Sequence, residues 1–244
     1  MLCRKRIRLG FSAAGAALAA AFLFTTPARA DVDLGVGLVG AVGGNFLDKP
    51  DRTAGEPDIY PGYGGLTIGG GLMLDARFLD GLLGVEADVI RSSDKGSGDV
   101  TFTSQIPGFV ASEKVTHKIG QGAWHVPLLA KLAIPSPVVA PVLMLGPEFV
   151  FPSSPSSTVD PALQGFTVRA KADNYVAITA GVGVEIKLPL PILDLRIPVD
   201  LRASYNPSVS SKFSDRVQSG GTTLTYHSEW KYSVALTAGA ALYF

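Results

Sequence analysis

The stretch Trp230-Lys231-Tyr232-Ser233-Val234-Ala235-Leu236-Thr237-Ala238-Gly239-Ala240-Ala241-Leu242-Tyr243-Phe244 decides the fold. Its even positions are Trp, Tyr, Val, Leu, Ala, Ala, Leu and Phe, and its odd positions Lys, Ser, Ala, Thr, Gly, Ala and Tyr. Successive side chains of an extended chain point to opposite faces, so a period of two held for fifteen residues is a strand with one apolar side.

The same alternation recurs upstream. Leu193, Leu195, Ile197, Val199, Leu201, Ala203 and Tyr205 oppose Asp194, Arg196, Pro198, Asp200, Arg202 and Ser204; residues 175–188 repeat the pattern with Gly181, Gly183, Glu185 and Lys187 on the polar face. Five more such segments cover roughly 32–46, 64–77, 82–92, 114–133 and 138–151. A tilted strand crosses a bilayer in about 9–11 residues, which each segment supplies. The chain is 47% hydrophobic and 17% charged, yet no segment after residue 30 has the unbroken apolar length of a spanning helix. Apolar content without helices points to an all-β fold, an eight-stranded antiparallel up-and-down transmembrane β-barrel.

A soluble barrel would carry a Lys- and Glu-rich outer face. Here the less apolar face is mostly Gly, Ala, Ser and Thr with a few charges, which suits a crowded lumen, and the other face suits lipid. Connection lengths agree with that reading. Connections at 47–63, 93–113, 152–172 and 206–226 are long and read as external loops, whereas Phe78 to Gly81, Ile134 to Val138 and Leu188-Pro189-Leu190-Pro191 are tight turns. Strand phase then puts Trp124, Phe149, Phe151, Tyr205, Trp230 and Tyr232 on the lipid face as an external aromatic girdle, with Phe78 and Phe244 at the opposite rim.

The run Trp124-His125-Val126-Pro127-Leu128-Leu129-Ala130-Lys131, followed by Pro141-Val142-Leu143-Met144-Leu145-Gly146-Pro147-Glu148, resembles the small outer-membrane β-barrel domain family related to PorT, and through it OmpA-like eight-stranded barrels. The resemblance covers most of residues 32–244. It implies an eight-stranded up-and-down barrel integral to the outer membrane, with outer-membrane lipids as partners and the secretion apparatus and barrel-assembly machinery as partners during biogenesis; it brings no established catalytic residue, and Phe244 resembles the family's terminal assembly signal. Pro141 and Pro198 depart from what a closed ladder favours, and bulges are expected there.

The N-terminus fits export. Arg4, Lys5, Arg6 and Arg8 precede an uncharged run from Phe11 to Phe24, and Ala28-Arg29-Ala30 supplies a small-residue cleavage site, so residues 1–30 read as a cleaved signal peptide and 31–244 as the barrel. Cys3 lies before the apolar run, where a lipoprotein cysteine would follow it. The leader holds five of the 21 basic residues and none of the 21 acidic ones, which leaves the remainder at 16 minus 21, or −5. That balance lacks the basic stripe of a nucleic-acid binder.

Motifs for chemistry are sparse. Gly35-Val36-Gly37-Leu38-Val39-Gly40 matches a dinucleotide fingerprint but has no strand before it and no helix after it, so no cofactor is expected. His117, His125 and His227 lack metal-ligand spacing, and His227 and Ser228, as neighbours in an extended segment, should diverge. No His, Ser and acid set is visible on one face, which argues against an enzyme. Phase places Glu86, Asp88, Lys131, Glu148, Glu185, Lys187, Asp194, Arg196, Asp200, Arg202 and Lys231 in the lumen, six acids and five bases. In a barrel of eight strands, whose interior side chains can fill, these should pair as a plug; the alternatives are a small porin-like channel and, behind it, a lipid-modifying enzyme.

Overall fold

A computed structural model describes residues 32–244 except 55, 57–59, 107–108, 161–166, 190–193 and 222. The leader with its cleavage site at Ala28 and Ala30 lies outside the described residues, as does most of the turn after Leu188. Among the described residues twelve strands follow in order: β1 (Asp33–Leu47), β2 (Tyr63–Phe78), β3 (Leu83–Ile106), β4 (Phe109–Ala133), β5 (Val139–Pro152), β6 (Ser156–Asp160), β7 (Thr167–Lys171), β8 (Tyr175–Pro189), β9 (Asp194–Tyr205), β10 (Val217–Gly220), β11 (Thr223–His227) and β12 (Tyr232–Tyr243). Eight of them form the ring β1-β2-β3-β4-β5-β8-β9-β12, each antiparallel to its neighbours, and β12 returns to β1 to close it. The fold is the eight-stranded antiparallel barrel that the alternation predicts.

Closure turns the alternation into two opposite surfaces. Leu38, Leu72, Leu143, Val182 and Leu236 point outward and are exposed, while Glu86, Asp88, Asp200 and Arg202 point inward and are buried. A water-soluble protein distributes these residue types the other way round. Met73, Leu129 and Met144 share the interior and fill space between the charges. The β2–β3 connection is a tight four-residue loop in which Leu79, Asp80 and Gly81 take φ of 52°, 56° and 84° and the Gly81 N–H donates to the Phe78 carbonyl, the left-handed conformation that reverses the chain sharply.

Two expectations need correction. Residues 93–113 are not a loop: β3 and β4 stay paired from Arg91 and Trp124 up to Ile106 and Phe109. The outward residues change from Val85 and Val89 to Arg91, Ser93 and Lys95, so the strand leaves the apolar layer without leaving its ladder, and only the apolar signal stops. Pro141 and Pro198 sit in strands without bulges, since the registers of β5 with β8 and of β8 with β9 advance one residue for one through both. A proline removes one donor, and the pairing of β12 with β9 is accordingly interrupted opposite Pro198, between Val199 and Arg196. The long external connections are also structured. β6 adds to the outer part of β4, and β10, β11 and β7 form a small sheet in which β11 and β7 run parallel.

Candidate functional site

Inward alternation collects charges from every side of a narrow tube, and their pairing defines the lumen. Glu86, Asp88, Lys131, Glu148, Glu185, Arg196, Asp200 and Arg202 are all buried there. Lys187 is half-buried near the end of β8, the Asp194 side chain is 38% exposed at the inner rim, and Lys231 pairs with Asp48 at 2.8 Å at the external rim. Asp75, Arg77 and Asp94 belong to the same interior and are absent from the sequence-based set. Extending the β2 alternation from Thr67 through Gly69, Gly71 and Met73 reaches Asp75 and Arg77, so that phase was the available signal.

Two guanidinium groups span the lumen. Arg77 on β2 bonds Glu185 on β8 at 2.5 Å and its neighbour Asp75 at 2.9 Å. Arg202 on β9 reaches Glu86 and Asp88 on β3, each at 2.7 Å, and Asp200 at 3.0 Å. Lys131 joins the two groups by bonding Glu86 and, at 3.3 Å, Asp75. The Tyr243 hydroxyl donates to Asp75 at 2.6 Å, and the Arg196 guanidinium lies 3.8 Å from the Tyr243 ring centroid while pairing with Asp33, Asp194 and Glu185. Buried charges persist only where such pairing offsets their lost hydration.

Above Arg202 the lumen holds a cavity of about 60 Å³, walled by Asn45, Ser92, His125, Glu148, Arg202 and Thr237 among others. His125 Nδ1 lies 2.6 Å from Glu148 Oε1, and His125 Nε2 lies 3.0 Å from the Ser92 hydroxyl. The other Glu148 oxygen accepts hydrogen bonds from Thr179 at 2.5 Å and Ser204 at 2.7 Å. A hydroxyl, an imidazole and a carboxylate in series are the arrangement that activates a nucleophile. The expected absence of such a set on one face is therefore corrected: β3, β4 and β5 are adjacent and bring together residues far apart in the sequence. His227 and Ser228 do diverge, with Ser228 buried against Gln121 and the Lys171 carbonyl.

At the external rim Trp124, Phe149, Tyr205 and Tyr232 are exposed and Phe151 is half-buried. Tyr205 stacks on Tyr232, and the Arg91 guanidinium sits 5.4 Å from the Trp124 ring. Trp230 is a correction, being 3% exposed rather than on the lipid face. β12 begins only at Tyr232, so the alternation that assigned Trp230 outward does not reach it, and the indole packs over Gly96, where any Cβ would stand 2.5 Å from it. Phe244, 77% exposed, exchanges both backbone hydrogen bonds with Leu34.

Trp230 is part of an apolar cap with Leu47, Tyr60, Tyr63, Ile119, Phe213, Val217 and Tyr226. Tyr60 and Tyr226 stack with ring centroids 4.5 Å apart. His117, on the part of β4 beyond Trp124 and outside the apolar belt, bonds the Tyr63 hydroxyl through Nδ1 and lies 2.6 Å from the Ser157 hydroxyl through Nε2. Burial lowers its pKa to about 4.

No known protein family matches the sequence, and no curated protein matches it. Among solved structures, Ail, the attachment invasion locus protein of Yersinia pestis, is similar at 12% identity over 89% of this chain and 100% of that one, with a TM-score of 0.38. The outer membrane protease OmpT from Escherichia coli is similar at 10% identity over 91% and 99%, with a TM-score of 0.32. Likeness this remote carries no activity across, and what the chain does has to be read from its own residues.

Proposed function

We propose that the chain is an integral outer-membrane barrel, exported by a signal peptide cleaved after Ala30, whose lumen is plugged by ion pairs and whose external end is a folded cap presenting loops. It acts without catalysis, as a membrane-integrity or loop-interaction protein. The observation that carries this reading is the belt of outward Leu, Val and Ile side chains around the whole ring, set against an interior of buried charge. Apolar surface on that scale is stable only against lipid. The test is fractionation: the protein should stay with membranes at alkaline pH and show heat-modifiable gel migration, and release into the soluble periplasmic fraction would refute the assignment.

The Ser92, His125 and Glu148 series favours a second reading, a lumenal hydrolase. Against it, the adjoining cavity is about 60 Å³, room for a few waters. A fluorophosphonate reagent that labelled wild type but not Ser92→Ala would replace the passive reading with the enzymatic one.

A further inference from the structure

The external connections bring Asp173 together with His227 and Glu229, more than fifty residues later in the chain. Asp173 follows β7, His227 ends β11 and Glu229 lies two residues beyond it, and one ligand atom from each lies within 4.8 Å of the others. His227 Nδ1 is 3.5 Å from Glu229 Oε1 and 3.9 Å from Asp173 Oδ2. These separations are long for hydrogen bonds but near the spacing of ligands on one ion, since atoms bonded tetrahedrally at about 2.1 Å stand about 3.4 Å apart. One imidazole and two carboxylates are a ligand set for zinc and similar divalent transition metals. The geometry points to a divalent-metal site at Asp173, His227 and Glu229, taking zinc or a like cation and fastening the connection after β7 to the one after β11.

The surroundings support a built site. The Asp173 backbone N–H donates to Glu229 Oε1 at 2.7 Å, so this carboxylate is oriented before any ion arrives. The backbone is fixed by the parallel β7–β11 ladder, whose last pair is Lys171 with His227. Lys171 Nζ holds Asp173 Oδ2 at 2.9 Å, and a metal would displace this exposed ammonium at little cost, as surface pairs contribute little. The three residues wall a cleft of about 330 Å³ that also contains Arg216, which is 2% exposed and has an Nη2 without a hydrogen-bond partner. The site stands on the external connections alone and does not depend on the membrane assignment.

The test is calorimetric titration of the detergent-purified protein with zinc, run beside limited proteolysis of the external connections. Wild type should bind one ion, and His227→Ala and Asp173→Asn should each weaken binding at least tenfold. Glu229→Gln retains the acceptor for the Asp173 N–H and should weaken binding while preserving heat-modifiable migration. Zinc should slow cleavage within 161–174 and 217–229 in wild type and leave His227→Ala unchanged. No binding, equal affinity in His227→Ala, or binding without protection would overturn the proposal.

Discussion

Arg77 and Glu185 meet across the full width of the barrel at 2.5 Å, from β2 and β8, which stand four places apart in a ring of eight. Arg202 and Glu86 repeat the relationship from β9 and β3. A lumen that opposite strands can bridge with single side chains is narrow enough at those levels for the plug proposed above.

Removing Arg202 strands three carboxylates, Glu86, Asp88 and Asp200, of which only Glu86 keeps a second cation, Lys131. Arg202→Ala should cost about 4 kcal/mol in urea unfolding of the barrel refolded in lipid vesicles, as expected for a dry buried pair losing one partner. A cost under about 1 kcal/mol would mean a hydrated lumen.

Arg196→Ala should be milder, about 1 kcal/mol, although its three partners look comparable on paper. Asp33 and Asp194 are 47% and 38% exposed and can return to water, and Glu185 keeps Arg77. The same unfolding measurement ranks the two variants, and Arg196→Ala costing more than Arg202→Ala would contradict the depth assignment.

In planar bilayers, wild type should show no resolved channel steps, while the double variant Arg77→Ala with Arg202→Ala, which removes both spanning side chains, should conduct. A clear open channel in wild type would make the small pore the better reading.

His117 sets a pH dependence. The unfolded chain takes up a proton as pH falls through 6.5, but the buried imidazole does so only near 4, so the cap is fully stable above 6.5 and weakens as pH drops between those values. The loss should reach about 3 kcal/mol at pH 4. Comparing wild type with His117→Gln isolates this contribution, since every other group is common to both; equal slopes would show that His117 is hydrated.

Trp230→Ala should loosen the cap by about 3 kcal/mol, the usual cost of emptying an indole site. Protease should then cut the external connections faster while heat-modifiable migration survives, because Trp230 packs on the cap and not in the ring. Loss of the barrel itself would show that the two regions fold as one.

The ring was legible because lipid outside and crowding inside impose one rule, period two, on every spanning strand. That rule located Glu86, Asp88, Lys131 and Arg202 from the sequence alone. It failed where its physical cause stops. Beyond Arg91 the outward face of β3 turns polar at Ser93 and Lys95 while the inward face mixes Ser92 and Asp94 with glycines, so a paired strand read as a loop, and Trp230 was placed outward by extending the pattern past the strand's start. The Ser92, His125 and Glu148 series was invisible for another reason, being assembled by register between strands, which alternation within a strand does not encode; Asp173 meets His227 and Glu229 only because β7 and β11 end side by side.

The seam between β1 and β12 joins Gly35 to Tyr243, and Tyr243 also holds Asp75, the carboxylate shared by Arg77 and Lys131. All the other ring ladders join strands consecutive around the ring in chain order, so this one closes the longest loop and carries the largest entropic barrier. Until it forms, two strand edges face lipid with unpaired backbone groups, and Asp75 lacks one of its donors. Zipping the last two strands together and completing the shell around Asp75 are therefore coupled: the same tyrosine that lies on the seam supplies the carboxylate's missing donor.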